Sequence, residues 1–320
     1  MTTMERQAIG QGPPVREGGG RTVITRLWGG LGNQLFQYAA GYAAASAAGA
    51  ELLLDPTQCF LDRNRPYALD AFQISGRIWT ESERKRIERR VRLARPVSLQ
   101  TRITARVIKQ MMKPMLNRNF AYIEDKHQGY QENVFARANE VYLAGTWANE
   151  GYFKRHCAEL RRELSLRNPP CSKNAELSQR MNGSESICVH VRRGDYIKNP
   201  DTAQRFGVCS LEYYQQALGR LSLHLNTPVL YVFSDDVGWC EENLRFDCKV
   251  EYVRHNQGKD HHLDLWLMSC CRHFIIANST FSWWGAWLGE APDKVVVAPR
   301  RWSLDSTTIA DPVPSRWLRA

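Results

Sequence analysis

Five short apolar runs, at residues 187–191, 229–233, 250–253, 274–277 and 295–298, have stretches of helical spacing between them at 211–225, 263–271 and 281–288. Strands without polar alternation must be covered on both faces, and strands interleaved with helices meet that demand in a parallel α/β sheet. The same pattern stands at the other end of the chain, with a strand at 22–27, a helix at 33–48 and a second strand at 51–54. Between the two series lies LRNPPCSKNAE, where Pro169, Pro170 and the polar residues after them read as a linker. The expected organisation is a flexible lead over 1–20, an N-terminal domain over 21–172 and a C-terminal domain over 173–320. No segment recurs at a fixed period, which excludes a solenoid.

A chain of 320 residues, 43% of them hydrophobic, can bury cores of that size. The longest weakly apolar run, 38–54, is broken by Ser46 and Glu51 and reads as a buried helix passing into a strand, not as a membrane span. The first twenty residues lack the apolar centre of a secretory signal. Nine cysteines, an odd number without C-x-x-C spacing, suit neither a disulfide framework nor a zinc site, and His255, His261 and His262 lack metal-site spacing. A reducing, cytoplasmic setting is expected.

The formal net charge is +10, and residues 82–118 carry it, with twelve Lys or Arg against Glu83 and Glu88. Apolar Ile87, Val91 and Ala94, then Ile103, Val107, Ile108 and Met111 beyond Pro96, predict two amphipathic helices with cationic faces. Such faces are either merely solvated or touch an anionic membrane, so a peripheral contact on the inner membrane face is expected. Nucleic acid is disfavoured because no aromatic residue interleaves the charges.

Four segments interrupt strand-to-helix junctions, where open α/β sheets hold their ligands. In WGGLGNQLFQYA, residues 28–39, glycines let the backbone approach a bound group and Asn33 opens a helix. HVRRGDY, residues 190–196, ends a strand with two guanidiniums and an imidazole, a set suited to gripping phosphate. Its bland reading is an Arg193–Asp195 surface ion pair. FSDD, residues 233–236, offers Asp235 and Asp236 as acceptors for a ribose or base, as cation ligands or as helix caps. NSTFSWWGAWLG, residues 278–289, starts a helix with amide and hydroxyl groups, and its Trp283, Trp284 and Trp287 read as core.

In this order, GGLGNQLFQYA, HVRRGDY, FSDD and FIIANSTFSWWGAWL resemble the α-1,2-fucosyltransferases of glycosyltransferase family 11, over roughly residues 22–300. The resemblance implies an α/β fold of GT-B type, two Rossmann-like domains facing across a cleft, with GDP-β-L-fucose as donor and a galactoside as acceptor. It places Arg192 on the β-phosphate, with His190 and Asp195 as further catalytic candidates and Asp201 as a more distant one. Arg193, Ser234, Asp235, Asp236, Asn278, Ser279, Thr280 and Phe281 would bind the donor, with His190 and an acid of FSDD near the nucleoside. Gly30, Gly32, Asn33 and Gln34 would face the fucose and acceptor. Guanidiniums and helix-start amides serve the leaving diphosphate, so no metal or other cofactor is implied. The competing readings are a fucosyltransferase of other linkage or acceptor, as in protein O-fucosylation, and a non-catalytic cationic nucleic-acid-binding protein.

Overall fold

Each of the apolar runs becomes a parallel strand. The computed structural model describes residues 20–94, 119–125, 129–131, 135, 138–223, 225–305 and 309–320. The first sheet holds β1 (Thr22–Arg26), β2 (Glu51–Asp55), β3 (Arg77–Ile78), β4 (Phe120–Glu124) and β5 (Glu140–Ala144) in the order β3-β2-β1-β5-β4. Helices α1 (Leu31–Ala48), α2 (Thr57–Leu61), α3 (Glu81–Ala94) and α4 (Cys157–Glu163) belong to this half. Residues 38–54 are indeed the end of α1 and the buried β2, turned by Gly49 in the left-handed region.

The chain leaves this half after Leu166, which still pairs with Phe72, and α5 (Ser172–Asn182) packs on the second sheet. That sheet holds β6 (Glu185–Val191), β7 (Pro228–Ser234), β8 (Lys249–Val253), β9 (His273–Ile275), β10 (Val296–Ala298) and β11 (Leu318–Arg319) in the order β11-β10-β9-β6-β7-β8. Every recorded pairing in both sheets is parallel. Its helices are α6 (Gly194–Lys198), α7 (Pro200–Phe206), α8 (Leu211–Ser222), α9 (Val237–Asn243), α10 (His261–Ser269) and α11 (Thr280–Leu288). Chain order reverses beside β6, with β7 on one side and β9 on the other, so the carboxyl ends of β6 and β9 frame the switch-point crevice. The result is a GT-B arrangement, two Rossmann-like domains facing across a cleft.

The domains share one core. Phe36 of α1 packs tilted against Trp283 and edge-on against Trp284 of α11 with ring centroids 4.5 and 5.0 Å apart, and Phe153 stacks on Trp284 at 5.5 Å. Trp283, Trp284 and Trp287 are fully buried, as their helical spacing suggested. Cutting one such aromatic to alanine typically costs about 3–5 kcal/mol. At the cleft end of this seam, a Cβ on Gly32 would sit 2.5 Å from the Phe281 amide nitrogen and 2.6 Å from Thr280 Oγ1. The neighbour there is largely backbone and has little room to yield, so Gly32→Ala should destabilise the protein by about 1–3 kcal/mol in chemical denaturation. An unchanged unfolding midpoint would show that the helix ends are not in contact.

The basic window is less open than its composition. In α3, Ile87 and Val91 are buried and Arg86 and Arg90 both turn onto the buried carboxylate of Glu140. Arg84 pairs with Glu81 and Glu88. Within the described half, Lys85, Arg89 and Arg92 form the exposed cationic stripe. The second helix expected around 103–111 lies outside the described residues, as does nearly all of the expected lead over 1–20. Among the described residues no helix is long and apolar enough to cross a membrane.

Candidate active site

A cleft of about 850 Å³ opens between the carboxyl ends of the two sheets, lined from one side by Gly30, Gly32, Asn33 and Arg65 and from the other by residues of β6, β7, α10 and the start of α11. Its chemistry begins where β6 ends. Asp235 accepts the backbone N–H groups of Arg193 at 2.9 Å and Gly194 at 3.0 Å, which turns the chain out of the strand and into α6. A Cβ on Gly194 would lie 2.7 Å from Asp235 Oδ2, so the turn needs glycine's small size.

The same Asp235 carboxylate holds Arg192 Nη1 at 3.1 Å, and Asp195 Oδ1 holds Arg192 Nη2 at 2.8 Å. Burial opposes the Arg192 charge, but Asp235 and Asp195 outweigh it and raise its pKa above the ordinary range. Arg192 is therefore a fixed cation in the cleft. The bland alternative, an Arg193–Asp195 pair, does not form; Asp195 pairs with Arg192 instead. Arg193 instead turns away from the cleft, its guanidinium 3.6 Å over the Trp239 ring and its Nε 3.6 Å from Asp236. Asp236 caps α9 through the Trp239 N–H at 3.3 Å, and Ser234 Oγ accepts the Asp236 N–H at 2.9 Å. Of the FSDD acids, then, Asp236 caps a helix and Asp235 shapes the arginine turn.

His190 is 4% exposed and lines the cleft, and its Nδ1 has no hydrogen-bond partner among the described residues. Burial, and then the Arg192 charge, lowers its pKa to about 3, so the imidazole is neutral throughout the physiological range. Phe281 stands beside it, ring centroids 5.9 Å apart. The α11 start meets the α1 start here, with Thr280 Oγ1 donating to Asn33 Oδ1 at 2.9 Å across the domains. Both helix starts line the cleft, α1 through Leu31, Gly32 and Asn33 and α11 through Thr280 and Phe281, where the N-terminal end of a helix favours negative charge.

Three expected residues are buried in the fold, and two of them, Asn278 and Ser279, also line the cleft, whereas Gln34 does not. Gln34 is fully buried, and Nε2 donates to the carbonyls of Gly29 and Pro66, both at 2.9 Å, while Oε1 accepts the Ala68 N–H at 3.0 Å. Asn278 spends Nδ2 on the carbonyls of Phe206, Gly207 and Trp302, so its amide fixes loops around the cleft. Ser279 is nearly buried and precedes α11 as its N-terminal flank. Asp201 lies exposed in α7 and is absent from the cleft lining.

Two residues that no motif marked also face the cleft. Asp264 in α10 accepts Asn256 Nδ2 through Oδ1 at 2.8 Å, and burial raises its pKa to about 6. Arg65 reaches Asp195 Oδ2 at 3.2 Å from the opposite domain. Among the described residues no group of three or more His, Cys, Asp or Glu is placed to hold a metal ion.

Known proteins similar to this chain are glycosyltransferases. An alpha-1,2-colitosyltransferase of Escherichia coli is 32% identical over 306 residues, 93% of this chain and 98% of that protein. The galactoside 2-alpha-L-fucosyltransferase SEC1 of Bos taurus is 33% identical over 113 residues, covering 34% of this chain and 31% of its own length. The structure of Arabidopsis thaliana FUT1 in complex with GDP superposes with a TM-score of 0.54 at 13% identity, over 92% of this chain and 74% of that one, a likeness of fold. The family model for glycosyl transferase family 11 matches residues 22–312. That span covers the first sheet, the second sheet up to β10 and every residue that lines the cleft, and the chain is a glycosyltransferase that belongs to family 11.

Proposed function

We propose that this enzyme transfers L-fucose from GDP-β-L-fucose, with inversion, to the 2-hydroxyl of a terminal galactose. The observation that carries the reading is Arg192, a fixed cation at the β6 carboxyl end, in the same cleft as the converging starts of α1 and α11. Breaking the glycosidic bond leaves charge on the β-phosphate, and donors preorganised for that charge stabilise the transition state above the ground state. The names of the similar proteins support a 1,2 linkage, and one of them a galactoside acceptor.

Guanine presents its N1–H and exocyclic amine along one edge, which a carboxylate with an oxygen to spare can accept. Asp264 fits that task better than Asp235, because its recorded hydrogen bond uses one oxygen, whereas Asp235 is spent on backbone and Arg192. His190 Nδ1 complements it as a neutral group awaiting a partner. None of the candidates His190, Asp195 and Asp201 makes a strong general base: burial lowers the His190 pKa to about 3, two guanidiniums hold Asp195, and Asp201 is absent from the cleft lining. The displacement is thus read as oxocarbenium-like and weakly assisted.

Incubation with GDP-fucose and a panel of galactosides, followed by linkage analysis of the product, tests the reading. An α-1,2-fucosyl galactoside is expected, and a product of another linkage, or no transfer to any galactoside, would overturn it. Because arginine and amides supply the positive charge, activity should persist within about twofold in excess EDTA. Loss of transfer on chelation, restored by manganese, would contradict this.

A further inference from the structure

Asp195 holds a guanidinium from each domain: Arg192 through Oδ1 at 2.8 Å and Arg65 through Oδ2 at 3.2 Å. The loop that carries Arg65 is braced. Asp62 Oδ1 accepts the N–H groups of Asn64 at 2.9 Å and Arg65 at 3.2 Å, and buried Gln34 ties the Pro66 carbonyl and the Ala68 N–H to the Gly29 turn before α1. Gln34 thus couples the position of Arg65 to the glycine segment of the cleft. A side chain on a braced loop has less backbone freedom to lose when it engages a ligand.

Charge makes the placement informative. Around Arg192 two guanidiniums face two carboxylates, an arrangement with no formal excess to offer a diphosphate. Asp235 is committed to the backbone of the turn, so a diphosphate entering the site has to draw on the partners of Asp195. Of these, Arg65 makes the longer contact and has the more exposed side chain, 46% against 31% for Arg192.

We infer that Arg65 is a second diphosphate-facing guanidinium, delivered across the cleft by the acceptor-side domain, with Asp195 as the carboxylate that parks it beside Arg192. The inference rests on the GDP-linked donor proposed above. In the transfer, the bond from the anomeric carbon to the β-phosphate oxygen breaks with both electrons going to that oxygen. The acceptor oxygen bonds the same carbon and releases its proton to solvent. Arg65 and Arg192 share the charge that appears on the phosphate. A completed donor site then requires both domains, which ties diphosphate binding to the acceptor side.

Calorimetric titration with GDP and with GMP, which lacks the β-phosphate, separates this role from a structural one. In Arg65→Ala and Arg65→Gln, GDP affinity should fall about tenfold while GMP affinity stays within about twofold of wild type, as loss of one charge-assisted contact predicts. Unchanged GDP affinity, or an equal loss for both nucleotides, would overturn the role of Arg65. Wild-type protein that binds neither nucleotide would sink the donor reading itself, and this inference with it.

Discussion

Arg192→Ala and Arg192→Lys should each lower kcat/KM by at least about 10²-fold while the fold survives. The lysine variant is the sharper test. A guanidinium can keep one nitrogen on Asp195, another on Asp235 and still present a planar donor face, whereas an ammonium is a compact point charge on a flexible stem. The charge would remain but its placement would not. Because the interaction strengthens as the leaving phosphate gains charge, kcat should fall more than donor KM rises. Near-normal turnover by the lysine variant, measured with saturating donor, would refute the clamp.

Asp264→Asn should raise donor KM by about 10- to 100-fold, because the substitution puts an amide where guanine's own donors need an acceptor. The pH dependence follows from the same carboxyl. Its pKa is raised from 3.8 to about 6 by burial, so donor affinity in the wild type should weaken as pH falls through about 6, and this dependence should vanish in the variant. Stability runs the other way. A carboxyl whose folded pKa exceeds its unfolded value contributes stability below about 3.8 that is lost as pH rises through about 6. At neutral pH the ionised Asp264 therefore weighs against the fold, and the asparagine variant should melt higher than wild type at pH 7.5 but not at pH 4. A variant that melts lower at pH 7.5 and binds donor normally would show that Asp264 serves packing alone.

Strands β1, β2 and β6 to β10 fall where the unbroken apolar runs stand, but the fully buried β5, Glu140–Ala144, was not among the strands read from the sequence. Strand β4 has the apolar start Phe120–Ile123 but is a half-buried edge strand next to the strongly basic window, and β3 has only two residues. The motifs disclosed which residue types gather at the cleft but not which neighbour points into it. Arg192 and Arg193 leave the strand end on opposite sides, and one turn of backbone decides that the first faces the cleft and the second stacks on Trp239. Asn33 and Gln34 divide in the same way, one lining the cleft and one facing the interior of its domain. Asp264 and Arg65 carry no local signal at all. Their meaning comes from contacts across the fold, such as the 130 residues that separate Arg65 from Asp195.

The aromatic seam of Phe36, Phe153, Trp283 and Trp284 bears on how such enzymes can be recombined. Exchanging the N-terminal half for that of a relative would place a foreign α1 against Trp283 and Trp284, with close-packed surfaces that tolerate little change in volume. Chimaeras cut at the linker would therefore expose or overfill this seam, and a workable exchange has to carry α1 and the segment around Phe153 with the C-terminal half. In this molecule the boundary that matters for modular engineering runs through side chains, not through the proline-rich stretch of the chain.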